Sequence, residues 1–162
     1  MKKSQMYSQV FIYMLTIMLV SFIFVYGFNS MQNFKTKTDE LSCLKMKRDI
    51  VNTIGNAQRD FGSVKRLDLQ MCPMYREICL VENFEPIDMT SLALYTNDPI
   101  IIDSIKSEST NNAFLVDKTA KEAFYAGQIS TDPDIMCIKE TNNRISLKIE
   151  GKGNFVSVGR WG

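Results

Sequence analysis

From Ser4 to Phe34 the chain carries no charged side chain, and within that stretch Met6 to Phe28, MYSQVFIYMLTIMLVSFIFVYGF, is continuously rich in large apolar and aromatic residues. At about 1.5 Å of rise per residue, such a run makes a helix roughly 35 Å long, enough to cross a hydrocarbon core of about 30 Å with some tilt. A cleavable secretory signal has a shorter apolar region, about 7 to 15 residues, closed by small residues, whereas the exit here is Tyr26-Gly27-Phe28-Asn29-Ser30. A core helix that is apolar on every face needs more surrounding protein than a chain of 162 residues supplies. A single membrane-spanning helix is therefore expected, with room for one ordinary domain behind it.

The rest of the composition excludes much. Lys and Arg number 19 against 18 Asp and Glu, a formal charge of +1, so the balance offers no basic surface for nucleic acid, and no such partner is expected. The chain has no histidine, which removes the commonest proton shuttle near neutral pH and the commonest ligand of zinc, copper and non-haem iron. Asp132-Pro133-Asp134, taken with Asp103 or Asp117, lacks the glycine-bearing ligand spacing of a calcium loop and reads as a solvated turn. Ser104, Ser107, Ser109 and Lys106 match no hydrolase motif and read as a polar helix end. Gly151-Lys152-Gly153 lacks the spacing of a phosphate loop and reads as a hairpin turn. Charged residues separate Leu41-Ser42-Cys43 from the apolar run, which argues against a lipid-attachment box. No catalytic residue, metal or cofactor is expected, and the chain is not expected to be an enzyme.

Cys43, Cys72, Cys79 and Cys137 are too widely spaced for a zinc ribbon and form no C-x-x-C pair. Their even number allows two bridges in any of three connectivities, or buried thiols packing as small hydrophobes.

Beyond the span, Cys43, Met46, Ile50, Ile54, Ala57 and Phe61 recur at intervals of three or four, with Leu44 and Val51 beside them and charges on the other face. The membrane helix is expected to continue outward as an amphipathic stalk and linker, stopping at Gly62; unbroken from about Gln5 it measures roughly 85 Å. Val64, Leu67, Leu69 and Met71 then alternate with polar residues as in a half-buried strand ended by Pro73, and EICLVE (Glu77 to Glu82) starts a second strand expected to pair with it. Asp98-Pro99 before Ile100, Ile101, Ile102 and Ile105 has the form of an N-cap opening a short helix, its isoleucines facing a sheet. Strands are expected at Ala113 to Val116, around Ala120 to Gln128, at Ile135 to Lys139, at Arg144 to Glu150 and at Asn154 to Val158. Asn142-Asn143 and Gly151-Lys152-Gly153 would turn the last three as antiparallel hairpins. The fold class is α+β: a long N-terminal transmembrane and stalk helix followed by a small, mainly antiparallel β head.

The start of the chain, MKKSQMYSQVF, sets Lys2, Lys3, the small residue Ser4 and Gln5 immediately before the apolar helix. It resembles the class III signal of archaeal type IV pilin-like proteins, in which a prepilin-type peptidase cuts after the small residue and leaves the whole apolar helix in the mature subunit. The resemblance implies a cut between Ser4 and Gln5, with Ser4 where glycine or alanine is more usual. It also places Gln9 at the fifth mature position, where many pilins carry glutamate; Gln9 can hydrogen-bond to a neighbouring subunit's new amino terminus but cannot neutralise it. The chain is also similar to small archaeal membrane proteins with this anchor, a following helix, a strand like EICLVE and a later strand bearing cysteine. With an extracytoplasmic head, as the resemblance implies, Cys79 and Cys137 are the preferred disulfide pair, worth roughly 2 to 4 kcal/mol.

On this reading residues 1–4 are a leader, 5–29 the transmembrane helix, 30–62 the stalk and 63–162 the head. The expected function is a pilin-like structural or surface-display subunit, whose helix associates with copies of itself or with other pilin-like subunits. Polar Ser8, Gln9, Thr16 and Ser21 are available to hydrogen-bond between helices or to their own backbone. The alternative is an unprocessed single-pass membrane protein whose head binds another protein. The charges disagree with an outward head: Lys2 and Lys3 precede the span, while Lys35, Lys37, Lys45, Lys47 and Arg48 follow it, a count that puts the head in the cytoplasm.

Overall fold

No proline falls between Lys3 and Arg59, and nothing else in that stretch forces the backbone out of its helical ladder. In the computed structural model, which describes residues 3–87 and 96–161, it forms one helix, α1 (Lys3–Arg59). The chain divides into two units, Met1–Thr38 and Asp39–Gly162, and α1 belongs to both.

In the first unit, α1 has no side-chain partners to bury it. Its large apolar residues from Val10 to Phe34 are all exposed, Leu15 least at 46% and Phe34 most at 75%. Thr16 donates to the carbonyls of Ile12 and Tyr13, and Ser21 to that of Ile17, so both hydroxyls are satisfied within their own helix.

In the second unit the same helix is core. Cys43, Met46, Ile50, Ile54 and Ala57 are buried, while Leu44, Val51 and Phe61 are exposed. The expected stalk and linker over 30–62 is thereby corrected. From Asp39 onward the helix closes the head, because its apolar stripe is the width of one helix face and finds two sheets to cover it. The helix also stops at Arg59, short of Gly62. Phe61 and Gly62 form a turn closed by the Ser63 N–H donating to the Asp60 carbonyl at 3.1 Å, with Gly62 at φ +78° and its N–H donating to the Gly151 carbonyl at 2.8 Å.

The described residues of the head add eight strands and a second helix: β1 (Val64–Gln70), β2 (Glu77–Val81), α2 (Pro99–Lys106), β3 (Ala113–Val116), β4 (Ala120–Phe124), β5 (Ile129–Thr131), β6 (Ile135–Lys139), β7 (Arg144–Gly151) and β8 (Val156–Arg160). One sheet has the order β1-β7-β8-β5 and the other β4-β3-β2-β6; all pairs are antiparallel except β5 with β8. The fold is α+β, one long apolar helix and a small head dominated by antiparallel strands.

Burial explains the two strand patterns. Along β7, Ile145, Leu147 and Ile149 are buried and alternate with solvent-facing residues, as befits a sheet with one wet face. β2 has no such alternation because both its faces are covered. Ile78 and Leu80 join the α1 core, whereas Cys79 and Val81 join a second cluster with Phe114, Ile135 and Ile101 of α2. Asp98 caps α2 as the sequence implies, accepting from the Ile100 N–H at 2.9 Å. Ile101 is fully buried and Ile102 and Ile105 partly so, but Ile100 points outward at 49% exposure.

Three pairing expectations are corrected. β1 does not pair with β2: its partner is β7, with Val64 opposite Glu150, and β2 lies in the other sheet. Asn142-Asn143, at φ 53° and 59°, does turn the chain, but it passes from one sheet to the other, and β6 and β7 share no ladder beyond an isolated Thr141–Arg144 bridge. The strand around Ala120 to Gln128 stops at Phe124, and a short β5 follows after Gly127. The hairpin through Gly151-Lys152-Gly153 is present, joining β7 and β8.

Candidate functional site

A head of this size offers chemistry only where polar groups are gathered and left free for a ligand, so each gathering has to be followed to its partners. Glu82 is the most buried acid among the described residues at 6% exposure, and both its oxygens are engaged. Its Oε1 accepts from the Phe84 N–H at 2.8 Å and the Glu85 N–H at 3.2 Å, and its Oε2 from the Thr131 N–H at 2.7 Å. Asn112 is equally committed, donating to the Gly127 carbonyl at 2.7 Å and accepting from the Ala126 N–H at 2.8 Å. Asn83 mirrors it, donating to the same carbonyl at 3.2 Å and accepting from the Ile129 N–H at 2.8 Å. These three side chains replace water around the β4–β5 turn and hold it to β2; they are scaffold.

A second cluster spans α1 and β4. Lys47 pairs with Glu122, and the Tyr75 hydroxyl donates to the other oxygen of that carboxylate at 3.2 Å. The Lys47 ammonium also lies 5.9 Å from the centroid of the Phe124 ring. Burial, then the neighbouring Glu122 charge, pushes the Tyr75 phenol above its ordinary value. Each group faces another within the cluster, which ties the helix to the sheet edge. Nothing in the sequence flags it, since Lys47, Tyr75 and Glu122 are far apart along the chain.

The cysteines form two bonds, and none is left free. Cys79 and Cys137 sit opposite each other on β2 and β6, with Cα atoms 4.0 Å apart, and are bonded through their sulfurs. Cys43, on the buried stripe of α1, is bonded to Cys72 in the loop after β1, with Cα atoms 4.9 Å apart. Glu77 lies within 4.8 Å of the Cys79 and Cys137 sulfurs, but sulfurs spent in a disulfide are not thiolate ligands, so the trio is no metal site. The bond of Cys43 likewise leaves no thiol for a lipid.

Of the residues expected at a processing site, Lys2 lies outside the described residues, and Lys3, Ser4 and Gln5 are described by their backbone in the first turns of α1. Gln9 follows on the same helix and is exposed.

The chain matches no family model, no curated protein and no solved structure.

With no relative to supply a function, the broadest functional surface is the exposed apolar length of α1. It is long and apolar enough to cross a membrane, and none of its most apolar window is buried. Water solvates such a surface poorly, and burying each large side chain is worth about 1.5 to 3 kcal/mol. The arrangement is compatible with a single-pass membrane protein.

Proposed function

We propose that this chain is a pilin-like structural or surface-display subunit, anchored by α1 and carrying its head outside the cytoplasm. One observation carries the reading: a single helix is exposed and uncharged from Gln9 to Phe34, and the same helix becomes core in a head whose cysteines are all bonded as disulfides. The first half of that observation calls for lipid or neighbouring helices, and the second for an oxidising compartment. The N-terminal sequence Lys2-Lys3-Ser4-Gln5 supports cleavage on the inner side of the membrane, which would free Gln5 as the mature amino terminus and let the helix leave lipid for a bundle of like helices.

Mass spectrometry of the membrane-extracted protein tests this. A mature chain beginning at Gln5 is expected; a chain that still begins at Met1 or Lys2 overturns processing. Protease shaving of intact cells is expected to remove the head, and electron microscopy of sheared material to reveal filaments. The second reading, an unprocessed single-pass protein whose head binds a partner, is favoured by Ser4 and Gln9, which stand where pilins more usually have glycine or alanine and glutamate. It predicts shaving without filaments and an intact N-terminus.

A further inference from the structure

Three cations of the head line one cleft, and none of them is within ion-pair distance of a carboxylate among the described residues. Lys139 ends β6, Arg144 opens β7 and Arg160 ends β8. By contrast Lys65, Arg66, Lys148 and Lys152 each sit against a carboxylate. The fold gathers the three because the Asn142-Asn143 turn crosses from one sheet to the other and β8 ends beside it. Together they line a cleft of about 390 Å³, over Ile145 and between Thr141 and the indole of Trp161.

No carboxylate is among the residues lining that cleft. Glu140, next to Lys139 in sequence, does not line the cleft, and its Oε2 is buried without a hydrogen-bond partner. Asp68, on the neighbouring β1, is hydrogen-bonded by Ser146 at 2.6 Å and Arg66 at 2.8 Å, and the Arg144 charge adds a smaller attraction that also lowers its carboxyl. Three like charges lining a concave, partly apolar surface focus a positive potential there and repel one another. Trp161 is the chain's one tryptophan. Its backbone N–H donates to the Ser146 carbonyl at 3.2 Å, the Arg66 guanidinium lies 5.8 Å from its ring centroid, and 38% of the residue stays exposed. Trp161 is thus tied to β7 through its backbone, with Arg66 over its ring, and stays partly exposed at the cleft.

Each feature selects a ligand property. Two arginines match the planar fork of a carboxylate. An indole wall takes the flat C–H face of a ring, and the Thr141 hydroxyl is at hand for a ligand hydroxyl. A strand of nucleic acid needs cations along a track, not one compact cleft, and an acidic peptide would use the charges while leaving the indole idle. We propose that this cleft binds an acidic saccharide, its carboxylate held by Arg144 and Arg160 and its ring laid against Trp161. The proposal concerns the head alone and does not depend on cleavage or filaments.

The single tryptophan makes the test direct. The full chain in detergent is titrated with a short oligogalacturonate while Trp161 fluorescence is followed, alongside a neutral oligogalactoside of matched length, a glutamate-rich peptide and a dinucleotide. A saturable response to the uronate is expected, weakened by salt, with none to the neutral sugar. Arg144→Gln and Arg160→Gln should each raise the Kd roughly tenfold, the scale of one charge-assisted hydrogen bond, with thermal unfolding unchanged. Lys139→Gln, at an exposed position, should weaken binding less and keeps the test open if an arginine variant fails to fold. The proposal is overturned by no saturable response to the uronate, by equal affinity in all three variants, or by tighter binding of the neutral sugar, the peptide or the dinucleotide.

Discussion

Truncating Ile54 and Val51 separately asks whether the C-terminal part of α1 is core or stalk. Ile54 is fully buried, and Val51 one turn away is 40% exposed. Ile54→Ala removes three carbons, worth about 2.4 kcal/mol at roughly 0.8 kcal/mol each. A cavity term adds to this, because the Ile54 Cγ2 methyl packs where a Cβ on Gly127 would lie only 2.8 Å away, and backbone at φ +120° will not shift to fill the gap. Alanine's better helix propensity returns about 0.4 kcal/mol, leaving a net loss of about 3 kcal/mol. Val51→Ala removes two carbons of a residue that keeps 40% of its surface in water, a loss of about 1 kcal/mol, of which its propensity gain of about 0.6 kcal/mol offsets more than half. Urea unfolding of the full chain in detergent, read by Trp161 fluorescence, should therefore give a midpoint far below the parent for Ile54→Ala and close to it for Val51→Ala. On a free stalk both variants would be neutral or slightly stabilised, so equal midpoints would refute the packing.

Other perturbations separate the remaining contacts. A Cβ at Gly151 would collide with the backbone carbonyls of Ala57 and Asp60, whereas one at Gly159 meets nothing within 4 Å; Gly151→Ala should cost ~3 kcal/mol by the same unfolding assay and Gly159→Ala little. Replacing Cys79 and Cys137 together opens a link across 58 residues and should cost about 4 kcal/mol, against about 3.5 kcal/mol for Cys43 and Cys72 across 29, both read from denaturation midpoints. Hydrogen bonds from Lys65 to Asp60, from Ser146 and Arg66 to Asp68, and from Lys152 to Glu150 hold these carboxyls below their ordinary values of 3.8, 3.8 and 4.5. Their stabilisation is present above those values and is lost as pH falls through the depressed ones. The Tm should therefore drop below about pH 4, and less steeply in high salt because all three groups are exposed. Tyr75 has the opposite sign: its contribution is complete below pH 10 and fades above it, so an ultraviolet titration should find one tyrosine ionising late.

What could be read from the sequence was whatever is local. The stripe from Cys43 to Ala57 repeats within single turns, and Asp98-Pro99 carries its own cap, so both were visible without partners. The anchor is a matter of composition and needs no tertiary information. Pairing is different: β1 finds its partner some eighty residues on, with Val64 opposite Glu150, and proximity in sequence favoured β2 instead. The unbroken apolar run of β2 held a clue, since a strand without alternation is covered on both faces. At three residues, β5 was too short to show a period. The cationic cleft was invisible for the same reason as the pairings, because Lys139, Arg144, Arg160 and Trp161 become neighbours only when three strand ends meet at one turn.

The division of α1 between two environments also reconciles the charges with the proposed orientation. Five cations follow the span in sequence, but Lys45, Lys47 and Arg48 lie in the unit that begins at Asp39, and Lys47 is paired with Glu122. Lys35 and Lys37 then remain between span and head, against Lys2 and Lys3 before it. A bias of two on each side no longer orients the helix, and folded domains cross with little regard to their own charge. The cysteines favour the proposed outward side: two bonds that use every thiol persist in an oxidising compartment and are reduced in the cytosol. The proposed outward head follows from the loss of the opposing count as much as from the disulfides, since neither would carry it alone.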